Sequence, residues 1–242
     1  MKVFAYLCQD MRAVNISQLW SRAWYLFKVN WLLLLGLLVL YVIVIFIPFI
    51  GGLIAWLLLW PALVRAGYLV ARKGQSSFGE AFGDIILLLK VFVYYLILEL
   101  IPGILIGFEY IPVLGSAIAG LSEASMEGGY GGMSGSMALS GTGGILLWLG
   151  YILIFILNLF GWAGPYAILS GRAGIFGAIG QSFSLTAQNF GTVFLVLLSF
   201  IGLGILGAIP CGLGLLVVLP MGEVFLPLLY LALTDEQGAS HA

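Results

Sequence analysis

A carboxylate set between two prolines is the side chain of this sequence best placed to do chemistry. Glu223 lies in "VVLPMGEVFLPLLYLAL" (217–233), with Pro220 before it, Pro227 after it and no other charge in the run. An ionised acid at the centre of a membrane helix costs about 3 kcal/mol on insertion scales, so it calls for a partner, a proton or a task. Arg65, in "WPALVRAGYL", is the natural partner: it follows Pro61 by four residues, as Glu223 follows Pro220 by three. At about 1.5 Å of rise per residue from the nearer turn, Glu223 lies about 16 Å deep and Arg65 about 21 Å, a difference an arginine side chain can bridge. Each comes about one turn after a proline that frees a backbone carbonyl. The expectation is an intramembrane charge pair, structural or gating, that joins two helical hairpins. Two alternatives stand beside it. Glu223 is protonated, or bonded to backbone opened by the prolines, while Arg65 snorkels to the cytoplasm; or Glu223 belongs to a transported-ion or proton site.

Glu99, three residues before Pro102, and Asn158, inside the fourth apolar segment, extend the third reading into a polar path. Each also has an ordinary explanation: Glu99 lies near the outer face, where water reaches it, and a buried asparagine commonly joins helices by a hydrogen bond. Other chemistry lacks residues. His241 is the one histidine and sits in a polar tail, which leaves no zinc set and no His-based triad. "GLGLL" (212–216) follows no strand and has the wrong spacing for a dinucleotide fingerprint. Met126, Met133 and Met137 carry soft thioethers suited to Cu(I), but they sit in "EGGYGGMSGSMALSGTGG", a flexible linker by composition. No cofactor, metal site or catalytic residue is expected, and the chain reads as not an enzyme.

The elements that hold these residues follow from composition. Hydrophobic residues make up 62% of the chain and charged residues 8%, with a mean hydropathy of +1.17. Soluble domains carry about 25% charged residues, so the solvent of this chain is lipid. Six segments are long and apolar enough to cross about 30 Å of hydrocarbon: roughly 31–48, 51–71, 86–109, 145–169, 190–209 and 212–233. They must be helices, because a lone lipid-facing strand leaves its backbone groups unsatisfied and the alternation of a membrane barrel is absent. "PFIGG" (48–52) and "IPCG" (209–212) are tight turns where Pro and Gly interrupt the apolar run. All of 1–242 is expected to form a single integral membrane domain. It opens with a cytoplasmic and interfacial segment (1–30), carries a Gly/Ser-rich external loop (111–144) and ends in a cytoplasmic tail (235–242). No cleaved signal is expected at the start.

All 9 Lys and Arg fall on or nearest one side of these six spans, and Glu109, Glu123 and Glu127 lie on the other. The positive-inside rule therefore puts both termini in the cytoplasm of a bacterial inner membrane. Cys8 and Cys211 fall on opposite sides, which rules out a disulfide within the chain. With no basic surplus, nucleic acid is not an expected partner. Before each hairpin comes a short amphipathic stretch. In 17–31 the face is Trp20, Ala23, Trp24, Phe27 and Trp31; in 76–85 it is Phe78, Phe82 and Ile85, opened by a Ser77–Glu80 capping box; in 175–190 it is Phe176, Ile179, Phe183 and Phe190. These helices are expected to lie in the interface, aromatic rings at headgroup level. The first and third units match sparsely: the distance from Asn30 to Pro61 equals that from Asn189 to Pro220.

"SRAWYLFKVNW", "RAGYLVARKGQSSFGEAF" and "SFSLTAQNF…GAIPCGLGLLVVLPMGEVFLPLLYLAL" together resemble a loose group of bacterial polytopic inner-membrane proteins of no assigned activity. That group is related to the membrane domain beside some glycerophosphodiester phosphodiesterases. The shared features are Asn189 before a span, the Cys211-Gly212-Leu213-Gly214 turn, Pro220 and Tyr230. The resemblance implies a six-helix fold without the phosphodiesterase's soluble metal-binding domain. The function expected is a non-enzymatic integral membrane protein for assembly, anchoring or contact with lipid, a membrane-protein partner or a second copy. The alternative is a small-solute or ion transporter or channel using Glu223.

Overall fold

The computed structural model describes residues 16–48, 50–124, 141–209 and 212–240. Every regular element among them is helical. The first hairpin is built from α1 (Ile16–Ile45), α2 (Gly51–Ile54), a π-helical turn (Ala55–Leu59) and α3 (Trp60–Lys73). The second contains α4 (Phe78–Phe82), α5 (Ile85–Ala124), α6 (Gly141–Gly161) and α7 (Gly164–Leu169), and the third α8 (Ile175–Gln188), α9 (Phe190–Ala208) and α10 (Leu215–Ser240). Six stretches are long and apolar enough to cross a membrane: Ile16–Ile45, Gly51–Lys73, Ile85–Gly107, Leu147–Leu169, Phe190–Ala208 and Leu215–Thr234. The chain is thus an all-α membrane protein, with a shorter helical stretch leading into each pair of spans.

Two expected boundaries move. α5 runs on to Ala124 and α6 begins at Gly141, so both ends of the expected external loop are helical. The glycine-dense composition that disfavours helix starts only at Glu127. α10 likewise carries helix to Ser240, through most of the expected tail. The methionines of the loop, Cys8, Cys211 and His241 lie outside the described residues.

Local chemistry explains the joints. Asn30 and Asn189 each leave the helical region, at φ −111°, ψ 16° and φ −121°, ψ 29°. Each turns its side-chain amide back to the carbonyl four residues earlier, Leu26 or Leu185, at 3.0 Å. The sparse sequence match therefore has a physical counterpart: one kink, made the same way, where a leading helix enters its span. Asn30 also donates to the carbonyl of Gly74 at 3.0 Å, and Gly74 ends α3 in the left-handed conformation at φ 85°. The π turn precedes Pro61, which has no N–H for the Leu57 carbonyl and crowds that turn; a wider turn relieves both.

The capping box forms as expected. Ser77 accepts from the Glu80 amide while Glu80 accepts from the Ser77 amide, and Glu80 Oε1 also pairs with Lys73 Nζ at 3.1 Å. The hydrogen bond and charge of Lys73 hold the Glu80 carboxyl below the ordinary carboxylate value. A depressed acid contributes stability above its unfolded-state value and loses it as pH falls through its folded value. Acid titration of the α3–α4 connection, followed by hydrogen exchange at the Glu80 amide, should show a loss of protection in the acid range that Glu80→Gln abolishes.

The chain divides into two compact units, residues 1–94 with 159–242, and residues 95–158. In the first, α10 packs along both α1 and α3, and α1 packs on α3. Leu34, Leu37, Leu63, Val64, Phe225 and Leu229 on these three helices are fully buried. Trp20 lies 4.4 Å from Phe225 and 5.1 Å from Phe200, ring centre to ring centre, so the leading part of α1 packs on α10 and α9. The leading helices share a pattern that splits the faces read from the sequence, since Ala23 and Phe27 of 17–31 are buried and Trp24 and Trp31 are not. They turn small residues inward, with Ala23, Ala81 and Ala178 fully buried, while Trp24, Trp31, Phe78, Phe176 and Phe190 are exposed. In lipid an aromatic ring gains little by leaving the solvent, and close approach of backbones decides which face is covered. In the second unit, α5 and α6 approach at Gly150, where a Cβ would come within 2.6 Å of Ile106 Cγ1.

Candidate functional site: a buried acid at a backbone crossing

Pro227 has no N–H, so the carbonyl of Glu223, four residues earlier, loses its helical donor. Gly67 of α3 covers that carbonyl. A Cβ built at Gly67 would overlap the Glu223 carbonyl oxygen and lie 2.6 Å from its carbon. Only glycine lets two helix backbones meet this closely, with a Cα–H facing the carbonyl oxygen. The Glu223 side chain leaves from this crossing into a buried position, and Glu223 as a whole is 9% exposed. Its Oε2 is buried without a hydrogen-bond partner.

The expected charge pair does not form. Arg65 Nη1 donates to the carbonyl of Asp84 at 3.2 Å, at the start of α5, where the Asp84 carboxylate accepts from the Leu87 amide at 3.0 Å. Lys73–Glu80 is the one ion pair among the described residues. The reason lies in helical phase. Gly67 faces Glu223, and Arg65 stands two residues earlier, about 200° around the helix, so its side chain departs from the far side. Matching depths brought Arg65 and Glu223 to one level without asking which way each points. Glu99 is half-buried on α5, and Asn158, exposed on α6, donates its amide to the Ile154 carbonyl of its own helix at 2.9 Å. Both belong to the second unit and Glu223 to the first.

A second polar centre went unread in the sequence. The fourth span breaks between α6 and α7 at "GWAGP". Pro165 releases the Gly161 carbonyl, and Tyr94 OH donates to it at 2.6 Å. Ser182 of α8 closes the rest of the break: its Oγ donates to the Phe160 carbonyl at 2.7 Å and accepts from the Ala163 amide at 3.0 Å. Trp162 Nε1 donates to Thr186 Oγ1 at 3.0 Å. The inward stripe of α8, Ala178, Ser182, Leu185 and Thr186, is thereby explained: it brings two hydroxyls to a broken helix. Ser182→Ala should destabilise the folded protein by about 1–2 kcal/mol by stranding the Ala163 N–H, measured as unfolding free energy in micelles. Ser182→Thr, which keeps the hydroxyl, should recover part of the loss. The Gly-Pro pair at 164–165 signals the break; nothing local signals that Tyr94 and Ser182 repair it.

Fold and site together define a polytopic all-α membrane protein with one buried, unpartnered acid among its described residues. No protein-family model, curated protein or solved structure matches the chain.

Proposed function

We propose that this chain is a non-enzymatic integral membrane protein that acts by assembly or anchoring, holding a membrane-protein partner or a second copy of itself in a bacterial inner membrane. On this reading both termini face the cytoplasm, as the distribution of Lys and Arg supports. The observation that carries the reading is the self-sufficiency of the broken fourth span. The released Phe160 and Gly161 carbonyls and the Ala163 amide are bonded by Ser182 and Tyr94, rather than left open for a solute. Kinship with the inner-membrane group named above agrees with such a role and is part of the proposal. Cross-linking the full-length tagged protein in native membranes, then purifying it, tests the idea. A stoichiometric membrane partner or a homo-oligomer is expected; a monomer that conducts a solute in liposomes would overturn it.

One observation favours a second reading, a small-solute or ion transporter or channel: the unpartnered Glu223 oxygen in mid-span. On that reading, flux into liposomes containing the purified protein is abolished by Glu223→Gln; on the first, neither protein gives flux above empty vesicles.

A further inference from the structure

We propose that the Glu223 carboxyl is a proton-binding site enclosed at the crossing of α3 and α10. Three kinds of occupant complete a buried carboxyl: a cationic side chain, a metal ion or a proton. The elements packed against α10 supply no cationic partner. On α3, Arg65 is bonded to the Asp84 carbonyl and Lys73 to Glu80. Tyr68 of the same helix stacks on Tyr166, and Arg72 makes no ion pair among the described residues. On α1, Lys28 lies over the Trp24 ring and Tyr41 against Trp60, Arg22 makes no ion pair among the described residues, and Tyr25 is exposed. α9 carries no titratable residue, and Tyr230 of α10 itself faces Ser170 and Tyr166. None of these groups bonds the Glu223 carboxyl.

A metal ion fares no better. Hard cations take about six or more oxygen ligands. Among the described residues no group of three His, Cys, Asp or Glu comes together. The carbonyl that Pro227 releases beside the carboxyl is covered by Gly67. A proton needs a single oxygen, and Oε2 offers one that is buried and unpartnered. The prolines at 220 and 227 bracket the site, so the helix that carries the acid has interrupted hydrogen bonding on both sides, where small backbone movements are least opposed. The site is independent of whether the chain moves a solute.

Infrared difference spectroscopy of the full-length protein in lipid vesicles, wild type minus Glu223→Gln, tests the proposal. The expected result at neutral pH is a carbonyl band of a protonated carboxylic acid that the variant lacks. The band should disappear reversibly on alkalinisation while the helical amide band is unchanged. A carboxylate difference band at neutral pH would overturn the proposal, as would an acid band that persists at every pH at which the protein stays folded. Labelling of the wild type by a lipid-soluble carbodiimide, which attacks protonated carboxyls, serves if the variant fails to fold. Modification at Glu223 that falls as pH rises is expected, and no modification at any pH counts against the site.

Discussion

Gly67→Ala should cost about 3 kcal/mol or more of unfolding free energy, the top of the range for overpacking a core. The added methyl would occupy the position of the Glu223 carbonyl oxygen, and both atoms in conflict belong to helix backbones. A side-chain clash can be relieved by a new rotamer; this one requires α3 and α10 to separate. Separation also uncovers the carbonyl that Pro227 leaves without a donor. Steric trapping or denaturant titration in mixed micelles would measure the loss. Gly52→Ala is the control, since nothing lies within 4 Å of a Cβ there. It should change stability by less than about 0.5 kcal/mol. Equal losses at both positions would mean that the crossing is not where the backbones meet.

The second large effect belongs to the broken span. A Cβ at Gly164 would overlap the Tyr94 ring and hydroxyl, which reach past it to the Gly161 carbonyl. Gly164→Ala should therefore cost about 3 kcal/mol, while Tyr94→Phe, which only strands the carbonyl, should cost about 1–2 kcal/mol. The two causes separate in a double-mutant cycle. In a Tyr94→Ala background the ring is gone, and Gly164→Ala should become nearly neutral, a coupling of about 2–3 kcal/mol. Additive losses would show that the glycine serves something other than the tyrosine.

How much of this was legible in the sequence depends on the kind of signal. The six spans were, because a bilayer demands about 20 consecutive apolar residues and the chain supplies them in six places. The Ser77–Glu80 cap was too, since it is a short-range arrangement in which side chain and backbone bond within three residues; the recurrence of Asn30 and Asn189 showed as spacing alone, without the kink each makes. Facing was not. Exposed Phe176 and Trp31 agree with rings set toward lipid, but Ala23, which periodicity puts on the same face as Trp31, is buried, as is Ala178. In lipid the informative residues are the small ones, and Gly67 and Gly164 were the positions to weigh. Proline read correctly as a disruptor at Pro61, behind a π turn, whereas α10 runs on through Pro220 and Pro227 and each only removes a donor. What it releases, and what answers it, are long-range facts: Gly67 for the Glu223 carbonyl and Tyr94 for the Gly161 carbonyl. Arg65 shows the limit most clearly. Depth along the helix follows from counting, but phase around it needs a fixed contact from which to count.

Arg65 and Glu223 leave their helices in different directions and do not bond each other. Unfolding free energies of Arg65→Gln, Glu223→Gln and the double variant of the full-length protein test it directly. Additive changes are expected, with a coupling below about 0.5 kcal/mol. A coupling of about 3 kcal/mol or more, the loss that follows when one member of a buried ion pair is removed, would contradict it.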